Sequence, residues 1–290
     1  MAAAELGQFV ERVLHIAGVH EKAKKPVARA PRKVTLIGHS MGGLVIKWYA
    51  TKVLTAARAG RTIDKIITIA TPYRGSLKAI EALLPGARNL FGFENQKSMR
   101  HAARTMPGVY QLLPTWPEAV VRQSDGKPLD IFNPRTWQSN LLKSLHERFD
   151  GPRFFARMLA DAKAFTSTGS APWPTGLRRR VYTAYGVKTK TWFQVPVDTT
   201  KGNFFRFDEV RTDSHDAKFP HGDGTVHTVS SIRPEIARTA LRRKTDERQR
   251  FRDAIVGHHA NMPNHGGVQD WALGLLNLNE HHGATFESPV

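Results

Sequence analysis

The chain of 290 residues reads as an α/β protein, with a mostly parallel sheet flanked by helices. Three observations predict this class. Lys33-Val34-Thr35-Leu36-Ile37 is a short β-rich run. It leads through Gly38-His39-Ser40-Met41-Gly42 into Gly43-Leu44-Val45-Ile46-Lys47-Trp48-Tyr49, where apolar residues recur at helical spacing. Residues 63–70 (IDKIITIA) form a second run, too short and too β-branched for a helix, and residues 178–186 (RRRVYTAYG) restore a third strand.

The elements follow in order. Residues 4–16 place Leu6, Phe9, Val10, Val13 and Leu14 at i, i+3, i+4, i+7 and i+8, which predicts an amphipathic helix. A basic, proline-bearing linker occupies residues 20–32. The second strand ends in the loop Thr71-Pro72-Tyr73-Arg74-Gly75-Ser76. From about Leu77 the β/α rhythm breaks, and proline, tryptophan and helical patches at 81–84, 137–149 and 154–165 take over. This predicts a helical cap insertion at 77–176, set on a core of residues 1–76 and 177–290. Residues 191–197 and 203–210 alternate like a small hairpin. A charged helix is expected at 232–248, a weak last strand at 254–256 and a closing helix at 268–278.

Composition narrows the chemistry. Hydrophobic residues make up 40%, enough for a sizeable core. The lack of cysteine excludes disulfides, thiolate catalysis and cysteine-ligated metal. No apolar run approaches the ~18 residues of a membrane span. Residues 1–15 lack a signal-peptide pattern, so a cytoplasmic location is expected. The formal charge is +18, from 43 Lys+Arg against 25 Asp+Glu. The basic stretches at 238–252 and Arg178-Arg179-Arg180 read as solvated surface, with anionic lipid headgroups as the alternative partner. No zinc-finger spacing, aromatic RNA-binding signature or recognition-helix pattern is present, so no nucleic-acid partner is expected.

A bare G-x-S-x-G arises by chance in about a tenth of chains this long. Strand before and helix after are what make Gly38-His39-Ser40-Met41-Gly42 read as a nucleophile elbow. Side chains two residues either side of the serine are expected to collide, so glycine is needed at Gly38 and Gly42. Ser40 then stands above the sheet, with the Met41 N–H aimed where an oxyanion forms.

A serine nucleophile needs a histidine base oriented by a carboxylate, both following it in chain order in the α/β-hydrolase arrangement. The acid candidate is Asp223, in His221-Gly222-Asp223-Gly224-Thr225-Val226, where glycines permit a sharp turn. Asp208, Asp213 and Asp216 are rivals without that setting. The base candidate is His259, after the weak last strand, with His258 beside it as rival and His265 further off. A metal site from His258, His259, His265 and Asp270 is the minor alternative, unsupported by carboxylate spacing. No cofactor is expected.

GHSMGG, IITIATPYRGS, PGVYQLLP, GKPLDIFNPRTW, GDGTV and a late histidine together resemble the lecithin:cholesterol acyltransferase and lipase branch of α/β-hydrolases, across Lys33 to Leu278. The resemblance implies Ser40 as nucleophile, Asp223 as acid and the late histidine as base; His259 is slightly favoured because it lies nearer the final helix. Proline usually follows GDGTV in that pattern, whereas this chain has His227.

One departure stands out. Such folds usually place several strands before the nucleophile strand, including the source of a second oxyanion donor, whose loss typically costs ~100- to 1,000-fold in rate. Here Ser40 follows a single helix, and about four sheet strands can be built. The elbow strand would then expose an apolar edge. The expectation is either a chain extending upstream of Met1 or a minimal form completed by a partner or by self-association through that edge. The function expected is cleavage of a lipid-like acyl ester through an acyl-enzyme. Acyl transfer on the same fold, or a weakly catalytic interaction module, are the alternatives.

Overall fold

The computed structural model describes residues 1–23, 33–84, 96–139, 141, 151–187, 189–213, 221–232, 251–254 and 258–277. Seven strands lie among them: β1 (Val34–His39), β2 (Ile63–Ile69), β3 (Val120–Arg122), β4 (Val181–Gly186), β5 (Val195–Asp198), β6 (Phe204–Phe205) and β7 (Phe251–Ala254). The main sheet runs β1-β2-β4-β7, and every pairing in it is parallel. Its register sets Gly38 beside Thr68 and His39 beside Ile69, so the strand carrying the elbow ends level with its neighbour. This is a partial α/β-hydrolase fold.

β2 is the apolar centre, with Ile63, Ile66, Ile67 and Ile69 buried. β1 pairs with β2 alone among the described residues, and Ile37 on it is 51% exposed, so the expected apolar edge is present. The last strand lies three residues upstream of its expected start, and residues 178–180 form a 3-10 turn rather than the start of β4. The charged helix expected at 232–248 and most of the patch at 137–149 lie outside the described residues.

The first helix, Ala2–Ala23, is longer than the periodicity indicates. Its expected stripe splits. Val10 is buried and Leu6 and Leu14 pack beside it, against Leu44, Tyr49 and Ala50, but Phe9 is 63% exposed and Val13 is also exposed. The helix lays only one narrow edge on the turn at Tyr49, where Gly7 permits close approach: a Cβ there would lie 3.1 Å from the Tyr49 ring. No helix among the described residues is long and apolar enough to cross a membrane.

The elbow helix Met41–Trp48 is tied to the end of a long later helix through Lys47, which is fully buried. A buried ammonium must find acceptors. Lys47 Nζ donates to the Gly169 carbonyl at 2.9 Å and to that of Ala171, at the end of the long helix Gly151–Ser170. It also lies 5.0 Å from the Trp173 ring centre. Helix C-terminal carbonyls lack intrahelical donors, so a lysine serves them well.

The hairpin β5–β6 departs from the expected division of the chain. β5 pairs in parallel with β3, which lies within the span expected as a cap, not with the main sheet. Phe193, Val195, Val197 and Phe205 join Trp116, Trp137 and Phe155 in one apolar cluster. Burying the inner face of so short a hairpin requires a neighbour, and β3 supplies both hydrogen bonds and apolar cover.

Candidate active site

The turn after β1 forces Ser40 to φ 52, ψ −126, a region that non-glycine residues rarely occupy. The conformation is held from outside, since Ser40 N–H donates to the Ile69 carbonyl at 2.8 Å. A Cβ at Gly38 would lie 2.7 Å from the Gly43 nitrogen and 2.8 Å from the Gly42 carbonyl carbon, both main-chain atoms that cannot give way. Gly42 differs from expectation: a Cβ there would meet nothing within 4 Å. The second crowded glycine is Gly43, where a Cβ would overlap Thr71 Oγ1 and lie 2.7 Å from Thr71 Cγ2. The first helical turn doubles back over residue 38 and presses position 43, not 42, on the loop after β2. Met41 opens the helix, and its side chain lies against Gly108.

Asp223 is 1% exposed. Its Oδ1 accepts the main-chain N–H groups of Thr225 at 3.0 Å and Val226 at 2.7 Å. Its Oδ2 lies 2.8 Å from His259 Nδ1. On the far side of that ring, Nε2 stands 2.8 Å from Ser40 Oγ. The His259 N–H also donates to the Asp223 carbonyl at 3.0 Å. With Nδ1–H donated to the carboxylate, Nε2 presents a lone pair to the serine hydroxyl.

The rivals lie elsewhere. His258 is exposed, Asp208 pairs with Arg206 at the surface, Asp213 is exposed near His221, and Asp216 falls outside the described residues. His265 caps the end of the turn His259–Asn264, and Asp270 is exposed. Among the described residues, no group of three or more His, Asp or Glu side chains is placed to hold a metal ion.

Several supporting residues were not singled out by the sequence. Gly186, at the end of β4, leaves room for the acid: a Cβ there would fall 2.6 Å from Asp223 Cβ. Thr191 Oγ1 accepts the Gly224 N–H at 2.8 Å. Ser76 Oγ donates to the Thr225 carbonyl, while Ser230 Oγ donates to Gly75 O at 2.6 Å and accepts from Arg74 N–H. The Ser76 N–H in turn donates to Leu112 O at 2.7 Å. The loops ATPYRGS, GDGTV and YQLLP are thus stitched to one another, which explains physically why they occur together. Gly75 sits at φ 81, with Leu112 and Leu113 carbonyls packed where a Cβ would stand.

Two further histidines border the site. His39 Nε2 donates to the His259 carbonyl at 3.0 Å, and burial holds its pKa below the ordinary histidine value. His227, fully buried, accepts the Val229 N–H on Nδ1 at 3.2 Å, and burial pushes its pKa down to about 4.

A serine on a strand–helix elbow at the end of a parallel sheet, with the acid and histidine loops arriving after later strands, defines the class as α/β-hydrolase. Within it, the family profile described as lecithin:cholesterol acyltransferase matches residues 18–154. That match covers the elbow but stops short of Asp223 and His259. The chain is 26% identical over 257 residues to phospholipase A(1) LCAT3 of Arabidopsis thaliana, covering 78% of this chain and 56% of that protein. This chain therefore spans little more than half the length of that curated relative. Among solved structures, the crystal structure of the Tle4–Tli4 complex aligns with a TM-score of 0.66 at 17% identity, over 94% of this chain and 65% of that one. The lipase BlEst2 of Bacillus licheniformis aligns at 0.39 and 15% identity, over 95% of this chain and 72% of that one. The chain is thus similar to a lecithin:cholesterol acyltransferase profile and to a phospholipase A(1).

Proposed function

We propose that this chain is a serine hydrolase that cleaves a lipid-like acyl ester through Ser40, His259 and Asp223. The observation that carries the reading is the unbroken path Asp223 Oδ2, His259 Nδ1, His259 Nε2 and Ser40 Oγ, with both gaps at 2.8 Å. Ser40 Oγ attacks the ester carbonyl as its proton passes to His259 Nε2. Asp223 holds the imidazole in the Nδ1–H tautomer and stabilises the imidazolium. The Met41 N–H, at the start of the elbow helix, faces the developing oxyanion. His259 then gives its proton to the departing alcohol, which leaves the acyl group on Ser40. Water, deprotonated by His259, releases the acid and restores the serine. An alcohol in place of water would make the same site an acyltransferase.

A glycerophospholipid is the substrate class best supported, because the curated relative is named a phospholipase A(1). The test is fatty-acid release from phosphatidylcholine vesicles and from p-nitrophenyl esters of graded chain length, with Ser40→Ala alongside. Release by the wild type alone is expected. Equal release by both would overturn the proposal.

A further inference from the structure

We infer that His39 is a positioning residue for the catalytic base, its imidazole holding the main-chain carbonyl of His259 and thereby the placement of that ring against Ser40. The inference rests on the serine-hydrolase reading and adds a residue to it.

His259 stands at the start of a short 3-10 turn, His259–Asn264, not on a strand of the sheet. A ring carried on a loop holds its aim only if the peptide groups around it are anchored. Two hydrogen bonds do this. On one side the His259 N–H donates to the Asp223 carbonyl at 3.0 Å. On the other the His259 carbonyl accepts from His39 Nε2 at 3.0 Å. The first ties the base to the acid. The second ties it to the final residue of β1, whose register against Ile69 is fixed by the sheet. His39 directly precedes Ser40, so any shift of the elbow carries the anchor of the base with it. The two imidazoles also pack, with ring centres 5.0 Å apart at 38°, which narrows the freedom of the His259 side chain itself.

The chemistry suits this role. A carbonyl acceptor requires the proton of His39 on Nε2, so that nitrogen is committed and cannot compete for the serine proton. A cation 5.0 Å from a ring that must itself become imidazolium would oppose catalysis. Burial favours the neutral form of His39 and lessens that opposition.

The test compares wild type, His39→Phe and His39→Gln for fluorophosphonate labelling rate at Ser40, for kcat and KM on a soluble ester, and for thermal midpoint. Phenylalanine keeps a ring and loses the donor; glutamine keeps a side-chain N–H. His39→Phe is expected to lose about 10- to 100-fold in kcat and labelling rate with KM little changed. His39→Gln should recover most of the loss, which a merely structural role would not produce. A folded His39→Phe at the wild-type rate, or His39→Gln as slow as phenylalanine at equal thermal midpoint, overturns the inference. A wild-type chain that never labels overturns the serine-hydrolase reading as well, so the two failures are told apart. Histidine ¹⁵N spectroscopy of the wild type needs no variant to fold: an Nε2-protonated His39 is expected, and a ring protonated on Nδ1 alone overturns the inference.

Discussion

Replacing Asp223 with asparagine changes one oxygen to an amino group, and the hydrogen bonds around it dictate the consequence. Oδ1 of Asp223 faces two donors, the N–H groups of Thr225 at 3.0 Å and Val226 at 2.7 Å. Both need an acceptor; the Val226 N–H is buried and the Thr225 N–H partly so, where an unpaired donor is costly. The carboxamide oxygen of the new side chain must therefore take that side. Its NH₂ then points at His259 Nδ1 from the place of Oδ2, 2.8 Å away. Two donors cannot share that gap. The imidazole answers by carrying its proton on Nε2, which leaves no lone pair for Ser40 Oγ. A wrong-tautomer histidine of this kind costs about 10,000-fold in kcat, or about 5 kcal/mol of barrier. The loop should keep its shape, because both main-chain bonds survive. Ester hydrolysis and fluorophosphonate labelling measure the loss, and thermal unfolding checks the fold. A folded Asp223→Asn chain within tenfold of wild type would mean that the carboxylate does not set the tautomer.

Two adjacent glycines give a sharper test of the elbow. Gly43→Ala pushes a methyl into Thr71 and should cost about 1–3 kcal/mol, lowering the thermal midpoint by several degrees, while Gly42→Ala, which meets nothing within 4 Å, should fold as well as wild type. Calorimetry of the pair that reversed this order would contradict the packing of the elbow on the Thr71 loop. His227 makes stability depend on acid. Its folded pKa of about 4 lies below the ordinary 6.5, so as pH falls through that window the unfolded chain binds a proton that the folded chain refuses. Stability is full above 6.5 and should fall by about 3 kcal/mol by pH 4 on this account alone. His227→Asn, which keeps an acceptor for the Val229 N–H, should flatten the decline in urea midpoint between pH 7 and pH 4.5; an unchanged decline would show that His227 is not its source.

The elbow was legible because its constraints are local: a β-branched run, a tight turn and a helical pattern are all written within 17 residues, from Lys33 to Tyr49. Asp223 stood out for its flanking glycines, and Gly224 indeed has φ 89. The choice between His258 and His259 was not legible, because neighbours differ only in the side from which they leave the backbone. Gly43 and Gly186 were hidden for another reason. Each makes room for a residue distant in sequence, Thr71 and Asp223, and such approaches leave no periodic mark. The pairing of β5 with β3 is likewise a long-range match between two short runs. For the first helix, periodicity revealed an apolar stripe but not how much of it a neighbour covers, so Phe9 and Val13 read as core and lie at the surface.

The proposed function requires Ser40 to be an activated nucleophile in this chain. Labelling of the purified protein with a fluorophosphonate, read by intact mass and peptide mapping beside Ser40→Ala, tests it most directly. One label per chain, at Ser40, is expected, and none in the variant. A folded chain that takes no label, or that is labelled elsewhere while Ser40 stays free, would contradict it.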